Sequence, residues 1–208
     1  MKLVIYQVFT RTFGNKNSNR KPNGTLAENG VGKMNDFDVA TLQQIKSLGI
    51  NTIWYTGVIR HATCTDYSAF GIPRQTPRVV KGKAGSPYAI TDYYDIAPDI
   101  ADNVAERMSE FEDLVKRTHK EGLKVMIIDF VPNHVAREYK SICKPKGVKD
   151  LGETDDMGKH FDANNNFYYC PNESLDTSAI PLPNGIEADN SNEMAAEYTE
   201  TVARCTGN

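Results

Sequence analysis

The sequence has no apolar run close to the roughly 18 residues that a membrane-spanning helix requires, and it has no long Lys/Arg run. Its opening, "MKLVIYQVF", carries too short an apolar stretch for the core of a secretory signal and lacks a small-residue cleavage site. A net charge of -3 over 208 residues also argues against a nucleic-acid binder, which needs a basic face for phosphate. We therefore expect a globular protein without membrane or nucleic-acid partners, either cytoplasmic or a processed secreted or periplasmic protein.

Cysteine is scarce, and no two cysteines form a CxxC pair. The four are Cys64, Cys143, Cys170 and Cys205. Such wide spacing predicts neither a zinc site nor a dense disulfide framework. We expect free thiols, with one disulfide among Cys143, Cys170 and Cys205 as the alternative.

Common catalytic and nucleotide-binding signatures are also missing. "GKAGS" does not fit the phosphate-binding loop GxxxxGK[ST], and no GxGxxG follows a predicted strand. No GxSxG nucleophile turn occurs either. The sequence thus gives no support for a nucleotide-binding protein or a serine hydrolase.

What the sequence does contain is a repeated plan of strand, helix and glycine over its first 134 residues. Apolar, β-branched and aromatic runs predict strands at residues 3–9, 50–59 and 123–131. Two stretches with apolar residues near helical spacing lie between these runs and end at Gly49 and Gly122. Their apolar stripes are Phe37, Leu42, Ile45 and Leu48 in the first, and Met108, Phe111, Leu114 and Val115 in the second.

This alternation predicts βαβ units and a parallel sheet. Either an open doubly wound sheet or a (β/α)8 barrel would fit. The segments after the strands, such as the long loop predicted for residues 60–102, are longer than those after the helices, and functional sites lie at that end of the strands in both folds. From residue 136 onward the chain is rich in Asn, Asp, Pro and Gly, which predicts a loop-rich insertion or small second domain.

The stretch "DFVPNH" ends the third predicted strand with polar residues. Asp129 and Asn133 share one strand face, and Pro132 should end the strand. An Asn amide oxygen can bind a hard cation such as calcium, although both side chains could equally tie loops together. A metal-dependent hydrolase with Asp129 and His134 as ligands is a further alternative, but the other histidines show no matching spacing.

Three stretches in order resemble signatures of the alpha-amylase family, glycoside hydrolase family 13. "YQVFTRTFG" is similar to its first strand, "SPYAITDYYDI" to the loop after its second strand, and "IDFVPNH" to the end of its third. Bacterial alpha-amylase-like members are the most similar. The resemblance implies the first three strands of a (β/α)8 TIM barrel at residues 1–135, with a loop-rich B domain inserted after strand 3 at residues 136–208.

The resemblance also implies roles for individual residues at a sugar-binding site. Tyr88 matches a tyrosine that stacks on the sugar where cleavage occurs, and His134 matches a histidine that hydrogen-bonds a hydroxyl of that sugar. Asp129 matches an acid that supports the site, and Asp92, with Tyr94, is expected to fix the surrounding loop.

A calcium ion is the cofactor that the resemblance implies. Asn133 matches a calcium ligand shared between the barrel and the inserted domain. Further ligands would come from the insert, where Asp155, Asp156 and Asp162 are candidates. The Asn-rich first loop resembles places where some members bind a second calcium, although a turn-rich loop without metal explains the same residues. The residues of that loop are Asn15, Asn17, Asn19 and Asp36.

The sequence departs from the family in having only three predicted strands. In that family the two catalytic carboxylates and a supporting acid come from strands four, five and seven. A complete barrel takes about 250 residues, and only residues 1–135 of this chain are predicted to belong to one. We therefore expect the N-terminal fragment of a retaining glycoside hydrolase acting on α-glucans such as starch or maltooligosaccharides. Its catalytic residues would lie beyond Asn208, in the remainder of the parent chain, and this chain alone would be inactive. A non-catalytic carbohydrate-binding or transporter-associated relative is the alternative.

Overall fold

The computed structural model describes residues 2–126, 130–182 and 198–205, and the chain divides into two compact units. Unit 1 consists of Met1–Arg60 and Asp95–Phe130, and unit 2 of His61–Tyr94 and Val131–Asn208. This division differs from the predicted boundary at residue 135, because residues 61–94 group with the later segment. The assignment of residues 1–135 to a partial barrel and 136–208 to an inserted domain stays a prediction.

The regular elements are short. The strands are β1 Ile5–Phe9, β2 Thr52–Thr56, β3 Ile59–His61, β4 Ile90–Ile96, β5 Lys124–Met126, β6 Tyr169–Cys170, β7 Leu175–Asp176, β8 Thr199–Glu200 and β9 Ala203–Arg204. The α-helices are α1 Leu26–Asn29, α2 Val39–Ser47 and α3 Arg107–Lys120. Short 3-10 helices lie at Met34–Asp36, Ser68–Phe70, Pro77–Val79, Pro98–Ile100 and Val104–Glu106. None of the helices in the described ranges is long and apolar enough to cross a membrane.

A parallel sheet in the order β1-β2-β5 organises unit 1, as the βαβ pattern predicts. Ile5 lies opposite Thr52, and Thr52 lies opposite Lys124. The predicted burial of the first strand is only partly right, because Ile5 is exposed whereas Val8 is buried. The third strand is described only as far as Met126.

The two long helices end within two residues of Gly49 and Gly122, the glycines predicted to stop them. The Asp38 side chain accepts a hydrogen bond of 2.8 Å from the Thr41 N–H and caps α2. Gly49 and Gly122 follow α2 and α3 with φ of 82° and 74°, a left-handed conformation that favours glycine. The side chains of the predicted apolar stripes are buried or partly buried, except at one end of each stripe.

Two of the predicted core residues lie outside the core. Leu48 follows the last residue of α2 and is exposed, and Met108 in the first turn of α3 is also exposed. Both lie at an end of a helix rather than in its middle. The spacing of the apolar residues alone does not indicate at which residue the buried face of each helix ends.

Aromatic packing fills the core between the sheet and the helices of unit 1. The Phe13 ring stacks on Phe37 with centroids 4.5 Å apart, and Phe37 meets Tyr55 edge to face at 4.9 Å. The Tyr55 hydroxyl shares a buried hydrogen bond of 2.7 Å with Thr118 on α3. Burial raises the pKa of Tyr55 to about 12, so the phenol stays neutral in the core.

A buried ion cluster in unit 1 joins two arginines to one acid. Asp95 accepts two hydrogen bonds from Arg107, from Nε at 2.7 Å and from Nη2 at 2.9 Å. Arg60 Nε lies 3.1 Å from the Asp95 carboxylate. The Asp95 and Arg60 side chains are each 2% exposed. These charges are therefore stabilised by the ion pair rather than by hydration.

The long loop predicted for residues 60–102 is wrong in part. Strands β3 and β4 pair with each other within this stretch. The sequence "ITDYYDI" of β4 mixes acids with aromatics, so its apolar pattern does not resemble a buried strand. The acids Asp92 and Asp95 are nevertheless buried, because hydrogen bonds to distant residues satisfy them.

Unit 2 contains two small apolar clusters and short antiparallel strand pairs. Phe167 and Tyr169 pack with Val135 in one cluster, and β6 pairs with β9 and β7 with β8. The described residues after 136 contain no α-helix and only two-residue strands. The described part of this segment is therefore rich in loops, as predicted.

The Asn-rich first loop is organised by its own side chains. Asn15 Oδ1 accepts a hydrogen bond from the Asn17 N–H, and Asn17 Oδ1 accepts one from the Asn19 N–H. The Asn17 and Asn19 amides both donate to the Glu28 carbonyl at 3.0 Å, and Asp36 accepts from the Lys33 N–H at 2.6 Å. These bonds explain the loop without a metal ion, and the second calcium stays a prediction.

Replacing Asp95 with Asn should lower the free energy of unfolding by about 3 to 5 kcal/mol, because two buried guanidinium groups lose their counter-charge. Urea denaturation followed by circular dichroism measures this change. Asp113→Asn is the matched control, since Asp113 pairs with Lys116 on the surface of α3 at 3.1 Å, where both side chains are more than half exposed. The control should change stability by less than about 1 kcal/mol. Equal losses in the two variants would contradict the role of the buried cluster.

Candidate functional site

Tyr88 lies in a turn directly before β4. The Ala89 N–H donates to the Ser86 carbonyl at 3.0 Å, and the Tyr88 N–H donates to Ser86 Oγ at 3.3 Å. These bonds fix the backbone, while the Tyr88 side chain remains 37% exposed. The turn thus presents part of an aromatic ring to solvent.

Unit 2 brings the segment that contains His134 next to this turn. The Ala136 N–H donates to the Ile90 carbonyl at 2.8 Å, and the Lys140 N–H donates to the Thr91 carbonyl at 3.0 Å. Ala89 and Ala136 also belong to one apolar cluster. Two motifs that lie more than 40 positions apart in the sequence therefore occupy neighbouring positions.

Asn133 and His134 interact directly. Asn133 Oδ1 lies 2.8 Å from His134 Nδ1, and because an amide oxygen only accepts, Nδ1 carries the hydrogen. In the neutral ring Nε2 then carries the lone pair. His134 Nε2 is shielded from solvent and has no hydrogen-bond partner within the described part of the chain, so its accepting capacity is unfilled.

The carboxylate of Asp92 is buried and accepts four hydrogen bonds. The Ser141 hydroxyl donates to Oδ1 at 2.7 Å, and the Tyr94 N–H donates to the same oxygen at 2.9 Å. The N–H groups of Ile142 and Cys143 donate to Oδ2 at 2.8 and 3.2 Å. Asp92 thereby attaches residues 141–143 to β4, and a carboxylate with so many donors is poorly suited to attack a substrate.

The three aspartates predicted as calcium ligands are committed to other partners. Asp155 accepts hydrogen bonds from the N–H groups of Asn166 and Phe167 and from the Tyr169 hydroxyl, all near 3.0 Å. The ammonium group of Lys159 lies 3.3 Å from Asp156 and 2.7 Å from Asp162. A cation already occupies the space between the last two. In this arrangement the three aspartates do not fit a calcium site with Asn133.

One predicted site residue cannot be placed. Asp129 lies outside the described residues, so its role as a structural acid stays a prediction. Asn133 and His134 follow it within the described range.

Sequence reasoning missed a basic pocket in unit 2. A cavity of about 360 Å³ is lined by Arg78, Lys81, Arg137 and Thr177 together with apolar side chains. Its residues are up to 102 positions apart, as in the bond from Arg78 to the Ile180 carbonyl. No local motif marks such a pocket, and Tyr88 and His134 do not line it.

Sequence reasoning also missed the polar network around Glu200. Its carboxylate accepts hydrogen bonds from Arg137 at 3.1 Å, the Tyr198 hydroxyl at 2.6 Å and Arg204 Nε at 3.0 Å. Burial acts to raise the pKa of Glu200, but the hydrogen bonds from Tyr198 and Arg204 outweigh it and the pKa lies below its ordinary value. The network fixes the last described segment of unit 2.

Replacing Asp92 with Asn should lower the free energy of unfolding by about 3 kcal/mol, because an amide nitrogen would then face two backbone N–H donors. Urea denaturation measures the loss, and amide hydrogen exchange should show reduced protection at Ile142 and Cys143. Asp176→Asn is the control, because Asp176 is exposed and the hydrogen bond that it accepts from the Ser178 N–H can also be accepted by an Asn oxygen. Unchanged exchange at residues 142 and 143 would exclude the proposed support.

Comparison with known proteins shows that most of the chain matches one protein family. The family model described as alpha amylase, catalytic domain, matches residues 7–194. Trehalose-6-phosphate hydrolase of Bacillus subtilis is 29% identical over 139 residues, which cover 67% of this chain and 18% of that protein. The amino acid transporter heavy chain SLC3A1 of Rattus norvegicus is 31% identical over 135 residues, or 65% of this chain and 14% of that protein.

Solved structures give a similar coverage. The crystal structure of trehalose-6-phosphate hydrolase from Bacillus licheniformis shares 28% identity and a TM-score of 0.43, and covers 67% of this chain and 18% of that chain. The protein described here thus spans under a fifth of the length of these relatives.

Proposed function

Because the chain belongs to the alpha-amylase catalytic-domain family, we propose that it forms the sugar-positioning N-terminal part of a glycosidase that acts on α-glucans. The observation that carries the proposal is the hydrogen bond from Ala136 to Ile90, which sets the His134 segment beside the Tyr88 turn. A sugar contacts both residues only if they share one surface. Curated relatives such as the hydrolase of Bacillus subtilis are glycosidases.

The chemistry of the two side chains suits a pyranose. An aromatic ring packs well against the apolar face of a sugar, and Tyr88 has a partly exposed ring. His134 Nε2 has no hydrogen-bond partner among the described residues but is shielded from solvent, so a sugar hydroxyl can donate to it only after the His134 side chain turns outward. Tyr88 would set the plane of the sugar, and His134 would set its rotation within that plane.

The catalytic carboxylates are proposed to come from other strands of the barrel. Retaining cleavage needs two carboxyl groups about 5 to 5.5 Å apart, one as nucleophile and one as acid/base. The two buried acids of β4 do not suit these roles, because Asp92 accepts four hydrogen bonds and Asp95 is bound by two arginines. We expect the 208-residue chain by itself to bind α-glucans without hydrolysing them.

Replacing Tyr88 with Ala should weaken the binding of maltoheptaose about tenfold, because the loss of an aromatic face costs about 1.4 kcal/mol. Isothermal titration calorimetry measures the dissociation constant. Tyr88→Phe keeps the face and should bind within about twofold of the natural protein. Tyr168→Ala removes another exposed tyrosine of unit 2 and serves as the control. Equal binding by Tyr88→Ala and the control would refute the stacking role.

A non-catalytic relative is the second candidate, and the similarity to the rat transporter heavy chain favours it. The two functions differ in the parent protein rather than in this segment. Hydrolysis of maltotriose by the parent protein supports the glycosidase, whereas binding without turnover supports the non-catalytic relative. Chelator-sensitive hydrolysis of an ester or amide would instead support a metal-dependent hydrolase.

Calcium binding through Asn133 stays a proposal that needs further oxygen ligands, because calcium takes about six to eight of them. Asn133 is an exposed residue whose amide oxygen, of the type that calcium prefers, also lies 2.8 Å from His134 Nδ1, whereas Asp155, Asp156 and Asp162 do not fit as its partners. Calcium at about one hundred times its dissociation constant should stabilise the folded state by roughly 2.7 kcal/mol. Thermal denaturation with and without calcium chloride measures this gain.

Two variants test the assignment of that ion. The gain in stability from calcium should disappear in Asn133→Ala and persist in Asp162→Asn. Loss of the gain in the Asp162 variant, or its persistence in the Asn133 variant, would move the ion away from Asn133.

A further inference from the structure

Two cysteines from distant parts of unit 2 lie against each other. Cys170 Sγ and Cys205 Sγ are 3.0 Å apart, although the residues are 35 positions apart in sequence. All four cysteines belong to the described ranges, and none is bonded to another sulfur. The contact is therefore between two thiols.

The β6–β9 pair explains this approach. Cys170 lies opposite Ala203, and Tyr169 lies opposite Arg204. Because side chains alternate between the faces of a strand pair, Cys205 projects from the same face as Cys170, one diagonal step away. The Cys205 N–H also donates to the Tyr168 carbonyl at 2.9 Å, which extends the ladder beside the sulfurs. Backbone hydrogen bonds thus hold both residues in register.

The other two cysteines have different surroundings. Cys64 is partly buried, its thiol donates to the Gly82 carbonyl at 3.5 Å, and burial raises its pKa to about 11. Cys143 is exposed and its N–H is bound to Asp92. Of the candidate partners in the sequence, only Cys170 and Cys205 are placed together by the strands.

We propose that Cys170 and Cys205 form a reversible disulfide that fastens β9 to β6 under control of small-molecule disulfides. Cys205 is the more exposed residue of the two, so its thiolate attacks a dissolved disulfide such as oxidised glutathione and releases one glutathione thiolate. The Cys170 thiolate then attacks the Cys205 sulfur of the mixed disulfide and releases the second. Two protein thiols are oxidised, and one glutathione disulfide is reduced to two glutathiones with the two protons that the cysteines lose.

A metal ion is the competing explanation for this cluster. Ligand atoms of His160, Cys170 and Cys205 lie within 4.8 Å of one another, and His160 Nδ1 is 2.7 Å from the Tyr169 carbonyl. A tetrahedral zinc ion would hold two thiolate sulfurs roughly 3.8 Å apart, given Zn–S bonds of about 2.3 Å. The sulfurs are already closer than that, and the cluster offers three donors in the described part of the chain. The geometry therefore favours a disulfide.

The disulfide would act on the last described strands of unit 2. It would close the chain between β6 and β9 and so limit the freedom of the unfolded state. Within the folded unit it would keep Arg204 beside Glu200, to which Arg204 Nε donates at 3.0 Å. Oxidation would therefore stabilise the Glu200 network, and reduction would leave it to strand pairing and to its own side-chain hydrogen bonds.

The test compares the chain after equilibration with oxidised or reduced glutathione. Oxidation should lower the mass by about two hydrogens, protect two thiols from N-ethylmaleimide and yield a cross-linked peptide pair that contains Cys170 and Cys205. The melting temperature should rise by about 10 °C relative to the reduced chain, as expected for one cross-link in a protein of this size.

Serine variants separate this pair from the other cysteines. Cys170→Ser and Cys205→Ser should each remove both the cross-linked peptide and the redox-dependent change in melting temperature, while Cys143→Ser should keep both. Stable glutathione adducts without a cross-link, or a cross-link to Cys143, would overturn the proposal. Zinc chloride provides the last measurement: one bound zinc in native mass spectrometry, with both thiols shielded and no oxidation by glutathione disulfide, would replace the disulfide with a metal site.

Discussion

The buried carboxylate of Asp92 is the constraint on which the candidate site depends. A charge removed from water must find donors in the protein, and Asp92 finds them in Ser141, Ile142 and Cys143 as well as in its own strand. These bonds hold the chain after the third predicted strand along β4, where the hydrogen bond from Ala136 to Ile90 continues the contact. The bonds to Asp92 and the backbone hydrogen bonds beside them thus keep the His134 segment next to the Tyr88 turn.

The sequence predicted those parts of the fold that depend on local patterns. Apolar runs marked the three parallel strands, and Gly49 and Gly122 marked where the two long helices end. Strand β4 was missed because its polarity is compensated from far away, as when Arg107 neutralises Asp95. A buried acid and an exposed acid look alike in a sequence until their partners are known.

The candidate site likewise has residues that the sequence could predict and residues that it could not. Tyr88 and His134 belong to short signatures that resemblance could identify, and the hydrogen bond from Ala136 to Ile90 brings their segments together. The position of Lys159 between Asp156 and Asp162 could not be foreseen, because it depends on the path of a loop without periodic pattern. The meeting of Cys170 with Cys205 depends likewise on the register of two strands of two residues each.

The parallel sheet of unit 1 has β2 in the middle, so β1 and β5 each have one edge without a strand partner in the described ranges. Parallel strands are joined by long crossover connections rather than by tight turns. The length of the connection therefore does not set the register of a strand that pairs at such an edge. Backbone hydrogen bonds, together with the exposed apolar side chains of Ile5 in β1 and of Leu3 and Val4 before it, would guide the next strand. A strand supplied by a separate polypeptide would meet the same requirements as one supplied in cis, which suits this unit to reassembly from split halves.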